Sequence, residues 1–365
     1  MTDLFEEFQN AELTGLITKR IHAIEPSQRL VFMHVCGTHE NSIARYGMRR
    51  LLPDWLKVIA GPGCPVCVCP SSDIKSAVEL ALNKHVTLAT FGDMLNVPAE
   101  VSLGEARARG GDVRVIYSAA DAVAFARENA NQEVVLFAIG FETTACTIAA
   151  IARDEPPRNF SLLSSMRLIP PALEALTQLN GLSIDGFVLP GHVLTVTGLS
   201  DYETFCQKRQ QPAVVAGFEP VDIMLGLERL IKLAITGECG VQNAYPRAVR
   251  KEGNPLARSI IDEVFEPIDA AWRGLGTIPK SGLGLRERFM RLDARKRFNL
   301  KTYAVDEPQA SECLCDRVMV GLSEPEHCKL FARACAPDNP FGPCMVSSEG
   351  TCRNRFLFRE FEDEI

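Results

Sequence analysis

Residues 134–145 read VVLFAIGFETTA. Six apolar residues run unbroken into a glycine, and a helix-compatible stretch opens directly after it, with Thr143 and Thr144 near its start. A short continuous apolar run closed by a turn signal fits a strand covered on both faces. The same grammar recurs along the chain. Leu30–Val35, Lys57–Ala60, Val86–Thr90, Val113–Tyr117, Leu162–Met166, Gly186–Leu189 and Ala213–Ala216 are apolar runs that each end in small or polar residues before a helical stretch. Strands alternating with helices make parallel sheets with helices on both faces. The predicted class is therefore α/β, as two open, Rossmann-like α/β domains facing a cleft, with one closed barrel as the alternative. Their expected extents are 1–129, including an amphipathic N-terminal helix marked by Leu4, Phe5, Phe8, Leu13, Leu16, Ile17 and Ile21, and 130–225.

From 226 to 365 the character changes. Leu227–Ile235 reads as helix, and so does Ser259–Trp272; Gly- and Pro-rich sequence (RGLGTIPKSGLGL) and a cysteine-dense tail follow. Such a tail has little apolar core of its own, so a bound metal is expected to supply stability.

Bulk properties narrow the class. With 365 residues, two or three domains are expected. A net charge of −7 argues against non-specific nucleic-acid or anionic-membrane binding. No apolar run approaches a membrane span. The acidic start MTDLFEEFQN lacks the basic region of a signal peptide, which places the chain in the cytoplasm. There, thirteen cysteines are not a disulfide framework. Cys146, Cys206 and Cys239 stand alone and are expected to pack in cores, whereas the other ten form two clusters.

The rear cluster holds Cys328, Cys335, Cys344 and Cys352, separated by six, eight and seven residues, with Cys313 and Cys315 upstream. Thiolates without histidines suit iron–sulfur or zinc. Zinc knuckles pair ligands across two to four residues. No such pair exists among these four, and Pro337, Pro340 and Pro343 stiffen the loop, which favours an iron–sulfur site.

The front cluster joins Cys36 and His39 of CGTHE with Cys64 and Cys67 of GPGCPVCVCP. Read at face value, CxxH and CxxC make a Cys₃His zinc site. Both motifs follow predicted strands, though, where α/β proteins place their reactive sites. Cys-x-x-Cys is also the spacing of thiol–disulfide exchangers, and a helix predicted just after Cys69 would lower a thiol pKa there. The pair can hold iron, cycle between dithiol and disulfide, or do both in turn. His34 is expected to be packed. Asp93 and His192 are strand-end polar residues suited to supporting a site or capping a helix. GFETTA offers a weakly specific anion-friendly helix start.

Seven motifs in order, CGTHE, GPGCPVCV, TFGDM, GFETTA, LPGHV, AGFEP and CMVSSEGTC, resemble the HypD family of [NiFe]-hydrogenase maturation proteins, from about Val31 to the end. The resemblance implies two α/β domains around a cleft and a third region with a [4Fe–4S] cluster. It implies a scaffold on which iron acquires two cyanides and one carbon monoxide before passing to the hydrogenase large subunit. Cys36 would hold the iron together with a thiol of a small HypC-type chaperone. Cys64 and Cys67 would be the redox-active or iron-handling pair, with His39 beside them. Cys328, Cys335, Cys344 and Cys352 would hold the cluster, and a HypE-type partner carrying a thiocyanate would deliver cyanide. Cys69, Cys313 and Cys315 are left without assigned roles. The competing readings are a ferredoxin-dependent thiol–disulfide reductase and a structural zinc protein.

Overall fold

The computed structural model describes residues 8–301, 303 and 312–359. Leu4 and Phe5, expected in the first helix, lie outside the described residues. Helix α1 spans Ala11–His22, capped by the Asn10 side chain on the Leu13 amide, and buries Ile17 and Ile21. The predicted strands all form: β1 (Leu30–His34), β2 (Leu56–Ala60), β3 (Val86–Phe91), β4 (Asp112–Ile116), β5 (Glu133–Gly140), β6 (Phe160–Met166), β7 (Gly186–Pro190) and β8 (Ala213–Ala216). All pair in parallel, in two open sheets. One sheet has the order β2–β1–β7–β8–β9, with β9 at Val241–Asn243, and the other β4–β3–β5–β6. The class is α/β with two Rossmann-like sheets, and among the described residues neither sheet closes into a barrel.

The sheets do not follow the boundary expected between 129 and 130. β3 and β4 lie before it and pair with β5 and β6 after it, while β1 and β2 pair with β7 and β8. Apolar runs reveal strands but carry no signal for which strands are neighbours. Residues of both sheets, among them Val35, Leu88, Val135, Phe137, Leu189 and Val215, share one continuous apolar core.

The expected helix Ser259–Trp272 is a shorter helix, Pro255–Val264, followed by strand β10 (Phe265–Trp272). Its antiparallel partner β11 (Gly276–Leu285) occupies the Gly- and Pro-rich stretch. This hairpin lies along β6, where Leu168 N–H donates to Ser281 O at 2.8 Å and Ser164 Oγ–H to Leu283 O at 2.8 Å. Pairing with the edge of a sheet, unreadable from local sequence, overrides the helical pattern. Of the lone cysteines, Cys206 is buried, but Cys146 and Cys239 are only partly so. Among the described residues no helix is long and apolar enough to cross a membrane.

Candidate functional site

Strand β1 ends in the motif that begins helix α2 (Gly37–Arg45), and Cys36 stands at its N-cap position. Backbone amides of His39 and Thr38 favour the thiolate, but burial outweighs them and Glu349 adds to it, so the thiol is pushed up to about 11. A bare buried thiol here is protonated; a bound cation would reverse that preference.

The loop after β2 lies against Cys36. Gly37 N–H donates to Gly63 O at 3.1 Å. A methyl group on Gly63 would run into the backbone of Val35 and Cys36, so only glycine permits this approach. Cys64 caps the single turn α3 (Pro65–Val68) that contains Cys67, with the Cys67 amide donating to Cys64 Sγ at 3.1 Å. The two cysteines form a disulfide, with Cα atoms 5.2 Å apart. Cys69 is separate. Its sulfur lies 3.5 Å from Ser165 Oγ, which donates to Asp73 at 2.6 Å. Asp73, in helix α4 (Ser71–Ala81), also accepts from Arg167 at 3.0 Å and Arg295 at 2.6 Å. Burial, with the Asp73 charge beside it, pushes the Cys69 thiol up to about 12.

His39 is fully buried, and its Nε2 is 2.9 Å from Gly217 O, so Nε2 carries the proton. Burial, with His34 nearby, holds it neutral by lowering its pKa to about 3. Its Nδ1 has no hydrogen-bond partner among the described residues. The ring stacks on Phe218, which stacks in turn on His192. His39 therefore turns toward the β8 loop, and its hydrogen bond goes to backbone rather than to a cysteine. His34 is packed as expected, 2.8 Å from Glu40, whose other partner is Arg49 at 2.6 Å. Burial alone would raise the Glu40 carboxyl, but Arg49 and His34 more than offset it and hold it near about 2.

The rear site is larger than the four cysteines predicted to form it. One small pocket is lined by Cys313, Cys315, Cys328, Cys335, Cys344 and Cys352. The Cys315 thiol lies beside those of Cys313 and Cys344, and the Cys344 thiol beside that of Cys352. Backbone N–H groups point at sulfur: Phe341 at 3.4 Å from Cys335 and Cys352 at 3.3 Å from Cys344. Any side chain on Gly342 would press on Cys315 and Cys313. Among the described residues, no three His, Cys, Asp or Glu side chains are placed to share one metal ion. An all-thiol pocket with amides aimed at sulfur suits a cluster of several irons, whose ligands stand farther apart than those of one ion. Cys313 and Cys315 were visible in the sequence, but nothing local showed that they turn back onto the other four.

The two centres touch. Cys67 Sγ is 3.9 Å from Pro343 O, the residue before Cys344. Glu349, between Cys344 and Cys352, lies directly over Gly37, the residue after Cys36.

A family model described as the hydrogenase formation hypA family, HypD, matches residues 12–359. A putative hydrogenase expression/formation protein of Methanocaldococcus jannaschii is 43% identical, over 94% of this chain and 98% of its own. The hydrogenase maturation factor HypD of Cupriavidus necator is 42% identical, over 98% and 97%, and that of Escherichia coli 40%, over 92% and 91%. With the family matched across nearly its whole length and relatives this similar covering both chains, the chain belongs to the HypD family of hydrogenase maturation proteins.

Proposed function

We propose that this chain is the scaffold on which the Fe(CN)₂CO unit of [NiFe] hydrogenase is assembled. The observation that carries the reading is the packing together of the segments that hold three sulfur centres: Cys36 beside the Gly63 loop, the Cys64–Cys67 pair after that loop, and the six-cysteine pocket behind Pro343. Cys36 binds the iron substrate together with a thiol of a HypC-type chaperone. A HypE-type partner presents a thiocyanate. In the dithiol form, Cys64 or Cys67 attacks the thiocyanate sulfur as thiolate. The S–C bond breaks, cyanide leaves for iron, and a mixed disulfide forms. The second thiol resolves it, freeing the partner's thiol and leaving Cys64–Cys67 oxidised. Two electrons have thus passed from two thiols to one thiocyanate. The disulfide is the spent state of that cycle.

A [4Fe–4S] cluster held in the rear pocket would relay electrons one at a time from an external one-electron reductant to restore the dithiol. Four of the six thiols suffice to hold it. The sequence-based set is Cys328, Cys335, Cys344 and Cys352. Burial favours Cys313 in place of Cys344: Cys313 is half-buried, nearer the surface with Cys328, Cys335 and Cys352 than Cys344 is. Cys344 sits deeper, 1% exposed, with Cys315 beside it. His39, neutral and anchored on Gly217, ties the first turn of α2 to the loop after β8. Cytoplasmic location fits reduced thiols at both centres.

The test is anaerobic purification with the two partners, followed by iron and sulfide analysis and infrared spectroscopy. The wild-type complex is expected to show cyanide and carbonyl bands, and Cys36→Ala to lose them while keeping labile sulfide. Bands that persist in Cys36→Ala sink the assignment.

The buried disulfide touching the rear pocket also favours a thiol–disulfide reductase. That reading predicts turnover of a disulfide substrate undiminished in Cys36→Ala.

A further inference from the structure

The segment Ser347–Cys352 is shared between the two centres, and its middle residue is not a sulfur ligand. At its near end it is tied to the rear pocket. Cys352 N–H donates to Cys344 Sγ at 3.3 Å, and a side chain on Gly350 would collide with the Cys344 carbonyl. At its far end it is tied to the front. The Glu349 carboxyl lies near the Thr38 side chain, and a methyl group on Gly37 would overlap the Glu349 side chain and stand 2.8 Å from its carbonyl oxygen. A second tie runs parallel to the first. Asn41 Nδ2 donates to Asn354 Oδ1 at 2.7 Å, and the fully buried Asn354 donates to Ser348 O at 2.9 Å and Gly350 O at 3.0 Å. The first two turns of α2 thus rest on the same loop that carries Cys344 and Cys352.

We infer that Glu349 is a positioning residue through which filling of the rear cysteine pocket organises the first turn of α2 and so the Cys36 site. Thiols left unligated are held to one another only by weak sulfur contacts, whereas a cluster fixes their separation with metal–sulfur bonds. Fixing Cys352 fixes the loop three residues upstream, and Glu349 then holds Thr38 and the backbone beside Cys36 in place. Removing the cluster frees the Cys352 end of the loop, leaves the Asn354 hydrogen bonds to hold the rest, and weakens the brace on the first turn of α2. The front site is therefore competent only when the electron source behind it is loaded. The inference rests on the proposed iron–sulfur assignment.

Hydrogen exchange of the full chain tests it, read at the amides of residues 37–41 under anaerobic conditions, with the cluster loaded and after chelation. In the wild type, stripping is expected to raise exchange there at least tenfold. Glu349→Ala is expected to exchange fast in both states while retaining visible cluster absorbance and labile sulfide. Glu349→Gln, which keeps the size and a polar group toward Thr38, stays within threefold of wild type and guards against general misfolding. Unchanged exchange on stripping a demonstrably loaded wild type overturns the inference, as does a Glu349→Ala protein protected like wild type. If no labile sulfide is found in any preparation, the iron–sulfur assignment itself fails and takes this coupling with it.

Discussion

Single sulfur atoms decide the chemistry at both centres, and their surroundings are unlike. Cys36, pushed up to about 11 by burial, needs a cation before it becomes a good ligand. The rear thiols need one another. Their division into an outer four and an inner pair gives a direct prediction. Cys313→Ala and Cys335→Ala are expected to bleach visible absorbance and reduce labile sulfide at least fivefold. Cys344→Ala is expected to retain both but fail to reduce the Cys64–Cys67 disulfide, read by thiol alkylation and mass spectrometry. Equal bleaching in Cys344→Ala restores the ligand set read from spacing. Sequence marked every one of these cysteines as unusual, because clustering survives in one dimension. It could not divide six into four and two, because that depends on how the 313–315 segment folds over the others. Nor could it show that His39 turns to Gly217, since a loop histidine three residues from a cysteine reads the same whichever way it faces.

Elements show where periodicity is enough and where it is not. Strands β1–β8 were legible as apolar runs because parallel strands are buried on both faces. The β10–β11 hairpin was not: residues Glu266–Asp269 are exposed, and the pairing depends on contact with β6. Between β2 and α3 the decisive feature is a glycine whose role only the assembled fold reveals. Gly63→Ala places a methyl group against the backbone of Val35 and Cys36, atoms that cannot step aside. The loop must then withdraw from the β1–α2 junction, taking Cys64 away from Cys36. Overpacking of this kind costs about 1–3 kcal/mol. The variant is expected to unfold at lower denaturant and to retain less than a tenth of the front-site iron, with labile sulfide unchanged. Wild-type iron retention in Gly63→Ala contradicts the close approach as a functional requirement.

At the scale of the whole molecule, the chain crosses between sheets twice, once between β2 and β3 and once between β6 and β7. The first crossing contains the CPVC turn, so the thiol pair lies where the two sheets meet and not at the rim of either. The tail then packs onto that crossing, through Pro343 against Cys67 and Glu349 against Gly37. A chain that ran through its domains in sequence could not place strand ends from both sheets and the tail at one point without longer connections. The crossing also fixes which pieces can fold. Residues 1–129 contain β1 and β2 without β7, and β3 and β4 without β5, so both half-sheets would expose an inner edge and an apolar face. Residues 83–168 contain all four strands of the second sheet in sequence. Expressed separately, 1–129 is expected to be insoluble or to unfold without a cooperative transition. The 83–168 piece should show strand and helix by circular dichroism and a cooperative, weakened urea transition, since it lacks β11 along β6. A cooperative melt from 1–129 shows that the N-terminal third folds without the second crossing. The thiol turn is then carried by a local unit, and the junction of the sheets is not what holds it in place.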